Sequence, residues 1–205
     1  ATISTPAPFA THPNGTLPGC ADALGTVESD YPLQEAVFRA AVGAEPFCNG
    51  KWRASCRTPD APVLVVTVRA LKTHSGRYKV VAGHPLPPEM LQENPEDVRL
   101  GGANLRRHID IVRRFGVSPV VAINAFPTDH ESEHEVIRTI AAEAGVRVAV
   151  TNHVAKGGKG ALELAALVIE AANEPTSCQH LHTTHLPPVA TTRKPAPAVP
   201  GAGRH

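Results

Sequence analysis

The chain has 205 residues, a formal net charge of +1 with His neutral, and only 4% aromatic residues. That length suits one domain or a little more, and a charge so near zero gives no argument for a nucleic acid or a membrane surface as partner. The apolar runs are no longer than a strand, so no transmembrane span is expected.

The opening ATISTPAPFATHPNG has no basic stretch followed by an apolar core and is not read as a signal peptide. The chain does not begin with Met, which suits a trimmed protein or a fragment. Cys20, Cys48, Cys56 and Cys178 are scattered without a C-x-x-C pair, as reduced thiols in the cytosol would be. With 20 prolines and few aromatics, part of the length is expected not to pack a core.

Residues 1–32 are rich in Thr, Pro, Ala and Gly without periodicity and read as disordered. A short helix is expected over 33–42, where Leu33, Val37 and Ala41 share a face and Gly43 stops it. Residues 47–59, with Trp52, read as irregular. The first strong strand is 62–68, PVLVVTV, rich in β-branched residues. It runs into RALKTHSGRY, so Lys72, His74, Ser75 and Gly76 are expected near a strand's carboxyl end. Residues 82–95 form a Pro-rich loop too long for a mere link.

Asn94, Pro95, Glu96 and Asp97 mark a helix start: a cap, a first-turn proline and acids against the dipole. Val98, Leu105, Ile109 and Val112 form its inner face, Gly101 and Gly102 permit close approach, and Gly116 ends it. The apolar run 120–123 then reads as a strand buried on both faces. It stops at Asn124, and Phe126, Pro127, Thr128 and Asp129 follow. Ligands of open α/β sheets bind just beyond such strand ends, although a plain strand-to-helix loop has the same outline. Thr128 with Glu131 reads as a capping box for a helix that buries Val136, Ile137, Ile140, Ala141 and Ala144. A third strand over 146–150, the loop NHVAKGGKG and a helix over 161–172 complete the pattern. That helix is expected to turn Leu164, Ala165, Val168 and Ala171 inward. Residues 176–205 form a His- and Pro-rich tail without a core pattern.

The order β-α-β-α-β-α argues for an α/β fold with a parallel sheet and right-handed crossovers. Three strands are few, so sheet partners are expected to be missing.

His130 to His134 spell H-E-x-x-H, which on a helix can place two His and a general-base Glu around zinc. Here it sits in an acid-rich, solvated first turn with little apolar shell, so no metal ligands are assigned. His180, His182 and His185, near Cys178, lie in the Pro-rich tail and read as adventitious metal binders. The phosphate loop G-x-x-x-x-G-K-[ST] is absent. Gly157-Gly158-Lys159-Gly160 opens a helix after a strand, so its N–H groups, with Lys156 and Lys159, could meet an anion. A flexible Gly turn is the equal alternative.

Four stretches align in order and spacing: VVTVRALKTHSG, ENPEDV..GGANLRRHI, PVVAINAFPTD and AKGGKGALELA. Over 36–175 the chain resembles formate–tetrahydrofolate ligase, with a weaker match of AVFRAAVGAEPFCNGKWRAS to the family's AGFGADLGAEKFFDIKCR. The resemblance implies a three-layer, P-loop-type α/β parallel sheet with flanking helices, here a partial ligase domain over 33–175. It also implies a cytoplasmic, typically homotetrameric enzyme that joins formate to tetrahydrofolate through formyl phosphate. ATP with Mg is the implied co-substrate, and no tightly bound cofactor is expected.

By position, Phe126 matches the aromatic under the folate ring. Asn124, Pro127, Thr128 and Asp129 match the surrounding folate loop. Lys72, His74 and Gly76 match the nucleotide and substrate cleft, and Gly157 and Gly158 the glycine turn lining it. A flat pterin suits a stacking ring, and polar groups at a strand end can orient it. The departures are specific. The family's P-loop has no counterpart, Val37 and Arg39 replace glycines, Ala41 replaces an acid, and Val154 stands where a Trp is common. The first thirty residues and the tail past Pro175 match nothing in the family by motif. The chain thus reads as a ligase segment that either contributes to catalysis or is a remnant keeping part of the folate cleft. Metal binding through HESEH or the His-rich tail is a remote third reading.

Overall fold

The computed structural model describes residues 58–81 and 83–179, together with 27, 30–33 and 48. Nearly all of the helix expected over 33–42, Trp52, His180, His182, His185 and most of both termini lie outside the described residues. The chain divides into two units, Asp60–Ser177 and the combined termini Ala1–Pro59 and Cys178–His205. The Asp60–Ser177 unit holds every strand among the described residues.

Its elements run β1 (Val63–Val66), α1 (Val68–His74), a 3-10 turn (Pro88–Leu91), α2 (Pro95–Arg113), β2 (Val120–Asn124), α3 (Glu131–Glu143), β3 (Val148–Thr151), α4 (His153–Lys156), a second 3-10 turn (Gly157–Ala161) and α5 (Leu162–Ala172). The three strands are all parallel in the order β1-β2-β3, with Val66 beside Ile123 and Asn124 beside Thr151. Among the described residues no helix is long and apolar enough to cross a membrane.

The strand expected over 62–68 is shorter than its β-branched run. Thr67 is extended and its side chain accepts the Ala70 N–H at 3.1 Å, which starts α1. Val68 and Leu71, three apart, are each 1% exposed, so burial at helical spacing overrides strand propensity here. Lys72 and His74 therefore lie on a helix, not at a strand end.

Helix α2 begins as its cap residues require: the Asn94 side chain accepts the Asp97 N–H at 3.1 Å and Pro95 opens the first turn. Asp97 is itself buried and accepts from Tyr78, Asn94 and Arg77. Side chains alternate across a strand, so one sheet face carries Val66, Val121 and Ile123. Val98, Leu105 and Ile109 of α2 and Ile137, Ile140 and Ala141 of α3 complete that core. The opposite face is buried at Val120, Ala122, Ala149 and Thr151, where α5 packs on β2 and β3. α5 does not cover β1, whose Val65 stays 63% exposed. Of the face expected to turn inward on α5, only Ala171 is buried, Leu164 and Val168 are half-buried and Ala165 is exposed.

Gly101 lets α2 approach α1 closely, since a Cβ there would run into the Leu71 carbonyl. Gly101→Ala is therefore expected to destabilise the unit by about 1–2 kcal/mol, overpacking outweighing the helix-propensity gain. A urea unfolding curve checks this. An unchanged or higher midpoint would show that the two helices can part freely.

Candidate functional site

Because the sheet is parallel, the loops after β1, β2 and β3 all emerge at one end. The loop after β2 is a closed turn: the Asp129 N–H donates to the Phe126 carbonyl at 3.0 Å, and the Phe126 N–H donates to Asp129 Oδ2 at 2.9 Å. Phe126 is half-buried on this turn, and Pro127 and Thr128 are exposed beside it. The Asp129 side chain is 2% exposed, with His134 Nε2 at 3.6 Å. At the strand end, Asn124 Oδ1 is buried with no hydrogen-bond partner. Next to it the Ala125 N–H donates to the Thr151 carbonyl at 3.0 Å, and the Thr151 hydroxyl donates to the Ile123 carbonyl at 3.3 Å. A buried acceptor without a donor is uncommon in a settled core.

Motif reading left Arg69 unassigned, and the structure brings it to this turn. Its guanidinium lies 4.0 Å from the centre of the Phe126 ring, and Nη2 donates to Thr128 Oγ1 at 3.0 Å. A signal for it was available. Arg69 occupies the first turn of α1, where a cation opposes the helix dipole, so an outside partner holds it there.

The expected capping box of Thr128 and Glu131 is replaced by one two residues later. His130 is the N-cap of α3, and Glu133 Oε2 accepts its N–H at 3.0 Å. Glu133 wins that place because it is fully buried and has further partners. Its Oε1 is ion-paired with Lys72 and accepts the Asn94 N–H at 2.9 Å. Lys72 is 2% exposed, and its ammonium also donates to the carbonyls of Met90 at 3.1 Å and Gln92 at 2.7 Å. All three of its protons are thus engaged, and α1, the 88–94 loop and α3 meet at one buried ion pair. Burial alone would push the Glu133 carboxyl up. Lys72 and the N–H groups of Asn94 and His130 outweigh that and hold it below its ordinary value.

His74 and Gly76 sit at the far end of α1, about 10 Å along the helix from Thr67. Both are exposed, and Gly76 has φ of +78°. Gly157 and Gly158 lie in the exposed turn after β3, beside the exposed Lys156 and Lys159. Gly160 fixes that turn, its carbonyl accepting the Asn152 N–H at 2.9 Å. Val154 is 79% exposed on the same loop. The H-E-x-x-H residues are not arranged around a common point. Glu131, the formal general base, pairs with Arg138, which holds its carboxyl below the ordinary value, and His134 is buried while His130 caps the helix. Among the described residues no three His, Cys, Asp or Glu gather as a metal ion would need. The strand-end arrangement is an aromatic ring with a polar rim, which can hold a flat ligand.

Comparison with known proteins bears on what that ligand is. A family model described as formate–tetrahydrofolate ligase matches residues 2–202. The formate–tetrahydrofolate ligase of Saccharopolyspora erythraea is 59% identical over 175 residues, covering 85% of this chain and 31% of the relative. That of Cutibacterium acnes is 49% identical over 195 residues, covering 95% of this chain and 35% of the relative. Formate–tetrahydrofolate ligase 3 of Rubrobacter xylanophilus is 52% identical over 167 residues, covering 82% and 29%. The chain thus spans about a third of the length of the curated relatives it matches. The family match takes in the opening residues and most of the tail, which motif comparison had left outside it. On the extent of that match and these identities, the chain belongs to the formate–tetrahydrofolate ligase family.

Proposed function

We propose that this chain supplies the folate-binding side of a formate–tetrahydrofolate ligase, which joins formate to tetrahydrofolate at the expense of ATP through formyl phosphate. The observation that carries this reading is Phe126: a half-buried ring at the carboxyl end of the central strand, pinned through its N–H by Asp129. In this reading the pterin lies on Phe126, beyond the strand end that Asn124 closes. Pro127, Thr128 and Asp129 shape the rim. Gly157 and Gly158 line the neighbouring loop, and His74 and Gly76 are the nucleotide-side positions. Lys72 acts through Glu133, holding the start of α3 behind the folate turn.

The phosphate loop G-x-x-x-x-G-K-[ST] is absent from the 205 residues. That loop is what would hold the phosphates, so no phosphoryl-transfer step is assigned to these residues. This favours a second reading for the chain by itself: a folate half-site without turnover, in a cytosolic enzyme that is tetrameric when whole. Phe126→Ala is expected to weaken tetrahydrofolate binding by about 1–2 kcal/mol, roughly five- to thirtyfold in Kd. Calorimetric titration reads this, and an unchanged Kd would remove Phe126 as the platform.

A further inference from the structure

Arg69 closes over the Phe126 ring of the candidate site. It reaches from the first turn of α1, after β1, to the turn after β2, so it bridges two neighbouring strand ends. Its guanidinium covers a face of Phe126 at 4.0 Å while Nη2 is tied to Thr128 at 3.0 Å. The Nε is buried with no hydrogen-bond partner, which a planar donor group accepts only where other contacts hold it in place. Stacking on the ring and the bond to Thr128 are those contacts. A ring has two faces, and one of them is taken.

We propose that Arg69 is a positioning residue for tetrahydrofolate: by covering one face of Phe126 and gripping Thr128, it fixes the ring so that the pterin stacks on the opposite face. The inference rests on the reading of Phe126 as the folate platform. Arg69 touches the platform and not the reacting atoms, so its effect is on binding and passes through Phe126. The cation gives the attraction to the ring, while the planar fork supplies the directed bond to Thr128. Lysine can make either contact but lacks the planar fork that makes both at once.

The test is a double-mutant cycle on the full chain, with tetrahydrofolate binding read by calorimetry and folding by thermal unfolding. Arg69→Met is expected to weaken binding about three- to tenfold. In a Phe126→Ala background the same change is expected to have almost no effect, the signature of coupled neighbours. Arg69→Lys is expected to recover part of the affinity. A purely structural role would lower the melting temperature and leave the coupling at zero. Wild-type affinity in Arg69→Met, or an undiminished loss in the Phe126→Ala background, overturns the proposal. If Phe126→Ala leaves Kd unchanged, the platform reading itself fails. If Phe126→Ala weakens binding and Arg69→Met does not, only the positioning role fails. Should Arg69→Met not fold, Arg69→Lys carries the same cycle, and coupling to Phe126 is again the deciding quantity.

Discussion

Replacing Lys72 with Met is expected to destabilise the Asp60–Ser177 unit by about 3–5 kcal/mol, the cost of leaving a buried charge without its partner. The size follows from the surroundings. Glu133 is 0% exposed, so water cannot replace the lost ammonium. Lys72→Met also releases the Met90 and Gln92 carbonyls that its ammonium holds. Changing both partners, as in Lys72→Met with Glu133→Gln, is expected to cost less than Lys72→Met alone, because no unpaired charge then remains. Urea unfolding of the full chain measures both, and a single variant within about 0.5 kcal/mol of wild type would show that the pair is not a keystone.

The same pair sets a pH dependence whose sign can be worked out. The folded Glu133 carboxyl lies below its ordinary value of 4.5, so on acidification the unfolded chain takes up this proton first. The stability contributed is complete above the ordinary value and is lost as pH falls through the lower, folded value. In Lys72→Met the ammonium no longer opposes burial, and only the N–H groups of Asn94 and His130 still lower it. The acid-side loss from this group should then shrink or reverse, and unfolding midpoints measured across the acid range read that change.

The second large effect is at Asp129. Asp129→Ala is expected to cost about 1.5–3 kcal/mol, since it removes a charged acceptor and leaves the Phe126 N–H without its partner. Asp129→Asn keeps an acceptor and is expected to recover part of the loss. The functional consequence is larger than the stability figure suggests, because Phe126 sits inside the turn that Asp129 closes. Tetrahydrofolate binding is expected to weaken in Asp129→Ala with the core intact. Equal affinity for the wild type and Asp129→Ala would mean that the turn does not set the ring's position.

Much of this was legible in the residues. α2 could be read from Asn94, Pro95 and its acids because capping is local chemistry, and its buried stripe of Val98, Leu105 and Ile109 because burial follows helical spacing. β2 was legible from four apolar residues ending at Asn124. The boundary of β1 was not. Its β-branched run continues into α1, and only the fit of Val68 and Leu71 against the core decides for a helix. The Lys72–Glu133 pair was not legible because its partners stand far apart in sequence. The capping box moved to His130 and Glu133 for the same reason: a distant lysine selects Glu133. Arg69 lay within a motif already singled out, yet its stacking on Phe126 depends on two neighbouring strands ending level. α5 marks the opposite limit. Its composition asks for burial, but a pattern says which residues favour a core and not which surface arrives to cover them.

The most direct test of the central claim is a calorimetric titration of the full, folded chain with tetrahydrofolate, beside a separate titration with Mg-ATP. The expected result is saturable folate binding that Phe126→Ala weakens, with no nucleotide binding. A folded chain that gives no folate heat, or binds folate equally well without the Phe126 ring, would contradict it.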